Sequence, residues 1–176
     1  MEVDQQLSAA EQQSAAGKPF EIRMAEDGDL NAIEQMERGE PLAPHWAREA
    51  YASLVGGADD AMARCLLVAH DGVDVIGFLA GSFVKGDEAA ELESIVVHAP
   101  WRRRKVARAL FAGLMEWAKR EGAQGLKLEV RATSEGAMRL YTGCGFMECG
   151  RRASYYSDPD DDAVLMSLQI PKSVAS

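Results

Sequence analysis

The stretch ELESIVVHAPWRRRKVARALF, residues 91–111, decides the fold because it joins a strand to a helix through a strongly basic turn. Residues 91–97 are predicted to form the strand. A helix is predicted next, since apolar residues recur at helical spacing at Val106, Leu110, Leu114 and Trp117. Gly122 is placed to end that helix, as a glycine just past the last turn often does.

The basic turn predicts an anion site. A helix start leaves backbone N–H groups unpaired and carries a positive partial charge, and phosphates bind there for both reasons. Formal charge is added around that point by Arg102, Arg103, Arg104, Lys105 and Arg108. Spacing alone leaves two interpretations open: a pyrophosphate site, or a solvated basic face whose charges are paired at the surface.

A second stretch, LKLEVRATSEGAMRLYTGCGF at residues 126–146, carries two groups suited to proton transfer. Its alternating start predicts a strand, and Thr133 or Ser134 is expected to cap the short helix that follows. Glu129 lies near the end of the strand and Tyr141 near the end of the helix. They supply a candidate base and a candidate acid, although a surface carboxylate and a core aromatic residue would fit the same pattern.

The region before these stretches reads as a strand, two short helices and a hairpin. The strand covers residues 20–24, and Asp27 is expected to cap the first helix. The second helix covers residues 46–54 and is expected to stop at Gly56-Gly57. Two further strands flank Asp71-Gly72, a dipeptide typical of tight hairpin turns.

The chain closes with two strands, at residues 146–152 and 164–168, joined by a loop that holds Tyr155, Tyr156 and an acidic run. The complete order is strand, two helices, three strands, helix, strand, helix, two strands. That alternation predicts an α/β domain with a single central mixed β-sheet flanked by helices.

Size and charge limit the function. A length of 176 residues suits one domain. The formal charge, 19 − 28 = −9, argues against direct nucleic-acid binding and favours a cationic partner. Apolar runs stay below the ~20 residues that span a bilayer, and the start lacks a secretory pattern. We therefore expect a cytoplasmic protein that does not contact membranes.

Residues 1–18, rich in Gln, Ala, Ser and Glu, are predicted to be a disordered tail, with the folded domain at 19–176. The three histidines and three cysteines lack metal-ligand spacing, so no metal is expected. The cysteines are interpreted as small apolar packing residues: Cys65, Cys144 and Cys149.

Residues 91–170 resemble the GNAT superfamily of N-acetyltransferases, most closely its RimI-type branch, which acetylates an N-terminal alanine of a ribosomal protein. The resemblance rests on the two stretches above and on RRASYYSDPDDDAVLMSL at residues 151–168. Upstream, IRMAEDGDLNAIEQME (22–37) and PLAPHWAREAY (41–51) resemble the family's first helices and the substrate loop between them. The resemblance implies a GNAT fold and acetyl transfer from acetyl-CoA.

The resemblance also implies where acetyl-CoA binds. Backbone groups of Ile95, Val96 and Val97 are expected to line the pantetheine arm. The pyrophosphate is expected to lie against Arg103, Arg104, Lys105, Val106, Ala107 and Arg108. The family usually has glycine where Lys105 stands, and a lysine fits there if its φ is negative. Ser134, where the family often has an asparagine, either caps its helix or bonds CoA.

By the same resemblance, Glu129 matches the general base and Tyr141 the general acid of direct transfer, with no covalent enzyme intermediate. Trp46, Tyr155 and Tyr156 match the loops that cover the acceptor. The implied acceptor is the N-terminal α-amine of a protein, with a ribosomal protein as the expected partner. A monomer or weak homodimer is expected.

Two alternatives remain beside this interpretation. The same machinery serves small-molecule amines or lysine side chains in other members of the superfamily, because one fold hosts many acceptors. A non-catalytic CoA-binding regulatory module is the second alternative. The presence of both Glu129 and Tyr141 argues against the module, and the two loops favour a peptide acceptor.

Overall fold

The computed structural model describes residues 17–55 and 60–171. The strands are β1 (Glu21–Met24), β2 (Met62–His70), β3 (Val75–Val84), β4 (Ala89–Val97), β5 (Gly125–Arg131), β6 (Met147–Tyr156) and β7 (Asp161–Gln169). The helices are α1 (Leu30–Arg38), α2 (Arg48–Val55), α3 (Val106–Glu121) and α4 (Glu135–Gly143). This order confirms the predicted alternation. The predicted tail up to residue 16 and the Gly56-Gly57 helix stop lie outside the described residues.

The seven strands form one mixed sheet in the order β1-β2-β3-β4-β5-β7-β6. Neighbouring strands are antiparallel except β4 and β5, which run parallel and are joined through α3. The predicted central mixed sheet is therefore confirmed. The parallel pair lies in the middle of the sheet, between two antiparallel sets.

Helices cover the two faces of the sheet unequally. The face packed by α3 and α4, here called the back face, carries the larger apolar cluster, with side chains from β2 to β5 and β7. On the opposite face, here called the front face, α1 and α2 bury side chains of β2, β3 and β4. The front of β5 stays open enough that Lys127 is exposed and Glu129 and Arg131 are half-buried.

Of two predicted helix caps, the one at Asp27 is wrong and the one at Ser134 is confirmed in position only. Asp27 begins a short 3₁₀ turn before α1, and the capping interactions come from Glu26 and Asp29. The Asp29 carboxylate accepts from the Glu26 N–H at 2.8 Å and pairs with Arg23 at 2.7 Å, which holds it in place. At α4, Ser134 occupies the cap position without a side-chain bond to the helix, while Thr133 Oγ1 donates to Asp161 Oδ2 at 2.6 Å.

Two turn predictions are confirmed. In the β2–β3 hairpin, Asp71 Oδ1 accepts from the backbone N–H groups of Val73 (3.0 Å) and Asp74 (2.8 Å), and Gly72 has a φ of +94°. Gly122 ends α3 with a φ of +94°, in the left-handed region that favours glycine.

Two other predictions need correction. Tyr155 and Tyr156 lie in β6 rather than in a loop, because the β6–β7 hairpin is tight and turns only at residues 157–160. Cys65 is buried and Cys144 half-buried, but Cys149 is exposed on β6 and is not a packing residue. Along the described chain, no helix is both long and apolar enough to cross a membrane.

Candidate functional site

The centre of the sheet contains an opening between β4 and β5. Their parallel ladder joins only three residue pairs, ending at Glu91 opposite Lys127. Both strands continue past that pair, β4 to Val97 and β5 to Arg131. A shift of register against β3 between Ala80 and Gly81 places an extra β4 residue there. Such a bulge bends the strand that contains it, and the two strands diverge into a split.

One wall of the split is the backbone of β4. Alternate residues of an antiparallel strand direct their N–H and C=O groups to the same side. The His98 N–H donates to Ile76 O of β3 at 2.8 Å. The backbone N–H and C=O of Val96, two residues earlier, therefore also point toward β3. Ile95 and Val97 therefore direct their backbone groups toward the split. Of the three residues predicted to line the pantetheine arm, these two present polar backbone groups to it.

The basic turn follows directly at the end of β4. Arg103, Lys105 and Arg108 are exposed, and none of them pairs with a carboxylate in the part of the chain that the structure describes. These three residues are therefore not paired surface charges, and it stays a prediction that they hold a pyrophosphate rather than form a solvated basic face. Arg102 acts differently, because its Nε donates to Val97 O at 3.0 Å and ties the turn to the strand.

The backbone of the turn is left-handed at two positions, Arg103 (φ +63°) and Lys105 (φ +64°). Lys105 therefore does not meet the condition of a negative φ under which a lysine is expected to fit this turn. A left-handed residue at the N-cap of α3 lets consecutive N–H groups converge on one side, as in anion-binding nests. The backbone keeps the conformation in which glycine is favoured, and Lys105 adopts it at a steric cost.

Glu129 projects from β5 on the front face, beside the split, with 24% of its side chain exposed. Its Oε1 pairs with Nη1 of Arg152, on β6, at 3.1 Å. The arginine also lies over the Tyr155 ring, 5.3 Å from the ring centroid. The candidate base is therefore ionically paired rather than isolated.

Tyr141 lies on the back-face side of the split, at the end of α4, and is 8% exposed. Its ring packs edge-on against Phe111 (5.7 Å between centroids) and Phe146 (6.1 Å). Burial is the main cause that raises the pKa of Tyr141 to about 12, with smaller contributions from Tyr156 and Cys144. The hydroxyl therefore keeps its proton at neutral pH. Tyr141 is therefore a core aromatic residue, and its role as an acid stays a prediction.

Tyr156 connects the two candidate catalytic groups. Burial is the main cause that raises the pKa of Tyr156, and the nearby Glu129 carboxylate is the second. Tyr156 in turn contributes to the raised pKa of Tyr141. The Arg131 guanidinium lies 4.4 Å from the Tyr156 ring centroid and donates to Pro159 O at 2.9 Å. Tyr155 is 49% exposed, so its ring is available to a bound molecule.

Trp46 lies in the α1–α2 connection and is half-buried. Its backbone N–H donates to Oε1 of Glu37 at 3.2 Å, and its ring centroid lies 5.3 Å from that of Tyr51. Glu37 itself is 2% exposed. Trp46 therefore anchors the connection to the front-face core, and it remains a prediction that its exposed part meets an acceptor.

A cavity of about 250 Å³ lies between α3 and the end of α4, next to the basic turn. Its polar lining comes from Arg108, Glu116 and Cys144, and its apolar walls include Phe111 and Phe146. The arrangement provides apolar space beside one cation and one carboxylate. Within the described chain, no group of three or more His, Cys, Asp or Glu side chains is placed to hold a metal.

Sequence reasoning missed the partner of Glu129. Arg152 is 23 residues further along the chain, in a different strand, and no spacing rule links the two positions. Only the order β5-β7-β6 brings them together.

Comparisons with known proteins agree with this architecture. The model of the Acetyltransferase (GNAT) family matches residues 29–146. A Bacillus subtilis (strain 168) protein, named as a candidate ribosomal protein bS18-alanine N-acetyltransferase, is 27% identical over 143 residues, 81% of this chain and 90% of that protein.

Two solved structures have the same fold. The Escherichia coli ribosomal-protein-S18-alanine N-acetyltransferase superposes with a TM-score of 0.72 and 26% identity over 90% of this chain and 100% of that chain. Arabidopsis thaliana NAA60, in complex with acetyl-CoA, superposes with a TM-score of 0.74 and 20% identity, covering 86% and 99% of the two chains. The second likeness concerns the fold alone.

Proposed function

Because this chain belongs to the GNAT family of acetyltransferases, we propose that it transfers acetyl from acetyl-CoA to the N-terminal α-amine of a protein. The observation that carries the proposal is the split between β4 and β5, which has the exposed cations Arg103, Lys105 and Arg108 at one end and Glu129 at its front. Similarity to ribosomal-protein alanine N-acetyltransferases supports a ribosomal protein as the acceptor.

The residues present fit acetyl-CoA. The exposed cations Arg103, Lys105 and Arg108 and the start of α3 would hold the pyrophosphate. The backbone N–H and C=O of Ile95 would hydrogen-bond the amide-containing pantetheine arm, in the manner of a strand added to β4, whereas Val97 O already accepts from Arg102. Arg104, whose guanidinium lies 5.9 Å from the Trp101 ring centroid, would add charge at the same turn. Ser134, with no capping role, would be left to contact CoA.

The chemistry needs a neutral amine. Its nitrogen attacks the thioester carbonyl carbon, the C–S bond breaks, and the nitrogen loses a proton. Glu129, directly or through water, would accept that proton. The Val97 N–H, directed into the split, would stabilise the charge that develops on the carbonyl oxygen.

Tyr141 would assist departure of the sulfur. With a pKa of about 12, its hydroxyl is a weaker acid than a thiol, whose ordinary value is about 8.5. Complete proton transfer to a thiolate is therefore uphill, and the main contribution is a hydrogen bond donated to the sulfur as its charge grows. The proton lost by the amine balances the one that the sulfur gains, so the products are an amide and the free thiol of CoA.

The open front of β5, β7 and β6 would receive the acceptor. Tyr155 and Tyr156 combine flat apolar rings with polar ends, which suits contact with a peptide. The α1–α2 connection that carries Trp46 lies on the same front face of the sheet. An acceptor chain entering between them would present its first nitrogen to the split.

Peptide acetylation followed by mass spectrometry tests the proposal. Purified protein is incubated with acetyl-CoA and three acceptors: a peptide with a free N-terminal alanine, the same peptide with a blocked N-terminus and an internal lysine, and a polyamine. We expect an acetyl group on the α-amine of the first peptide. Transfer only to lysine or to the polyamine would replace the acceptor class and keep the family assignment. Binding of CoA without any transfer would favour the regulatory module.

A further inference from the structure

The carboxylate that faces the acceptor is already paired with a cation. Arg152 Nη1 lies 3.1 Å from Glu129 Oε1, and about half of the arginine side chain is exposed. Its guanidinium is also held over the Tyr155 ring at 5.3 Å. An arginine cannot lose its proton in a protein, so this positive charge is permanent. An amine that approaches Glu129 therefore meets an ion pair rather than a free anion.

A free α-amine has an ordinary pKa of about 7.7–8.0, so at pH near 7 most of it is ammonium, which cannot attack. A lone carboxylate would bind the ammonium and hold it in that unreactive form. A fixed cation within a few ångströms disfavours a second cation and lowers the pKa of the amine beside it.

We propose that Arg152 is a positioning residue that occupies Glu129 so that the site prefers the neutral acceptor amine to its ammonium form. The inference rests on the proposed function, because it concerns the same amine. The ammonium gives its extra proton to solvent as it enters, and Glu129 remains available for the proton released after attack.

The charges around Glu129 are consistent with this role. Glu91 on β4 pairs with Lys127 on β5 at 3.9 Å, so the pair contributes little net charge. Glu93 accepts from the Ser82 hydroxyl at 2.5 Å. The guanidinium of Arg131 lies over the Tyr156 ring rather than against Glu129. Arg152 is thus the cation that directly neutralises Glu129 among the described residues.

The test measures kcat and KM for an alanine peptide with Arg152→Met, which keeps the length of the side chain and removes its charge. At pH about 7 we expect kcat and KM for the peptide to fall together, each about tenfold, because the ammonium binds more tightly without reacting. Both constants should return toward wild-type values above pH about 9, where the free amine is neutral. Arg152→Lys, which keeps the charge, should retain most of the wild-type behaviour.

Arg151→Met is the matched control, since Arg151 pairs with Glu148 at 2.7 Å within β6 and should leave both constants unchanged. A raised KM with unchanged kcat in Arg152→Met would mean that Arg152 binds the acceptor, and would overturn the inference. A loss equal at every pH, or a lowered melting temperature, would mean a structural role and overturn it as well. If the wild-type protein acetylates no α-amine, the proposed function fails and takes this inference with it.

Discussion

The guanidinium of Arg102 pairs with the carboxylate of Glu40, which joins the basic turn after β4 to the connection between α1 and α2. The same guanidinium, through Nε, donates to Val97 O at 3.0 Å. One side chain therefore fixes the end of β4 and also the connection that carries Trp46. The pair is half-exposed, with 50% and 35% of the two side chains accessible, so its role is to hold geometry more than to stabilise the fold.

We therefore expect Glu40→Gln to change kinetics more than stability. The free energy of unfolding should fall by less than about 1 kcal/mol, as for other exposed pairs. KM for both substrates should rise, because the turn and the connection lose their common support. A double-mutant cycle with Arg102→Met measures the coupling. Additive effects on KM would show that the two segments act independently.

Charge reversal at the basic turn should weaken acetyl-CoA binding. Arg103→Glu combined with Arg108→Glu places two carboxylates where the pyrophosphate is expected, so the Kd should rise by at least tenfold. Wild-type binding should weaken with added salt, because exposed charges are screened. Calorimetry measures both effects. Arg38→Glu with Lys119→Glu makes the same change of charge elsewhere, and equal affinity loss in that control would contradict the placement.

Lys105→Gly should stabilise the protein. The left-handed conformation of Lys105 (φ +64°) costs a residue with a Cβ about 1–2 kcal/mol, while glycine adds about 0.4–1 kcal/mol of unfolded-state freedom. The net gain in the free energy of unfolding should be about 0.5–1 kcal/mol. Lys105→Ala removes the same charge but keeps the Cβ, and should show no gain. Equal stability of the two variants in urea unfolding would mean that φ changes on substitution.

Tyr141→Phe should act on the chemical step. The hydroxyl is lost and the ring retained, so the sulfur loses a hydrogen-bond donor and kcat should fall by about 10²–10³-fold with little change in KM for acetyl-CoA. Steady-state kinetics and a thermal melt together decide the point. Early melting with wild-type turnover would assign Tyr141 to the core alone.

The same variant should alter stability at high pH. Burial raises the pKa of Tyr141 from its ordinary 10.0 to about 12 in the folded state, so the unfolded chain releases this proton first. The stabilisation is complete below pH about 10 and is lost as pH rises toward about 12, at up to about 1.4 kcal/mol per pH unit. Urea unfolding at increasing pH should show a shallower decline for Tyr141→Phe. If the free energy of unfolding declined with pH equally in the two proteins, the Tyr141 hydroxyl would be in contact with water and its pKa would not be raised.

Glu129→Gln should lower kcat, because the amide cannot accept the proton released by the amine. The loss should shrink at high pH, where hydroxide and neutral amine are abundant. Initial rates across a pH series measure this. Glu91→Gln is the comparison, since Glu91 stands at the closed end of the split and is paired with Lys127. A larger loss in Glu91→Gln would move the base from β5 to β4.

The sequence by itself determined the element order, the strand–basic turn–helix unit at residues 91–111, and the two positions, Glu129 and Tyr141, with suitable chemistry. These features are local, since strand alternation, helical spacing and clustered charge are properties of neighbouring residues. The helix caps are local features too, but several neighbouring acidic and hydroxyl residues were equally suitable. The ion pair with Arg23 is what holds the Asp29 carboxylate in the capping position.

Only the tertiary structure decided what surrounds those positions. The left-handed backbone of Lys105 depends on the geometry of the connection between β4 and α3. The sequence has no glycine at this position that would have indicated it. The pairing of Arg152 with Glu129, and of Arg102 with Glu40, depends on sheet order and on the path of the α1–α2 connection. Contacts between residues far apart in the chain follow from packing of whole elements, and one-dimensional spacing holds no information about that packing.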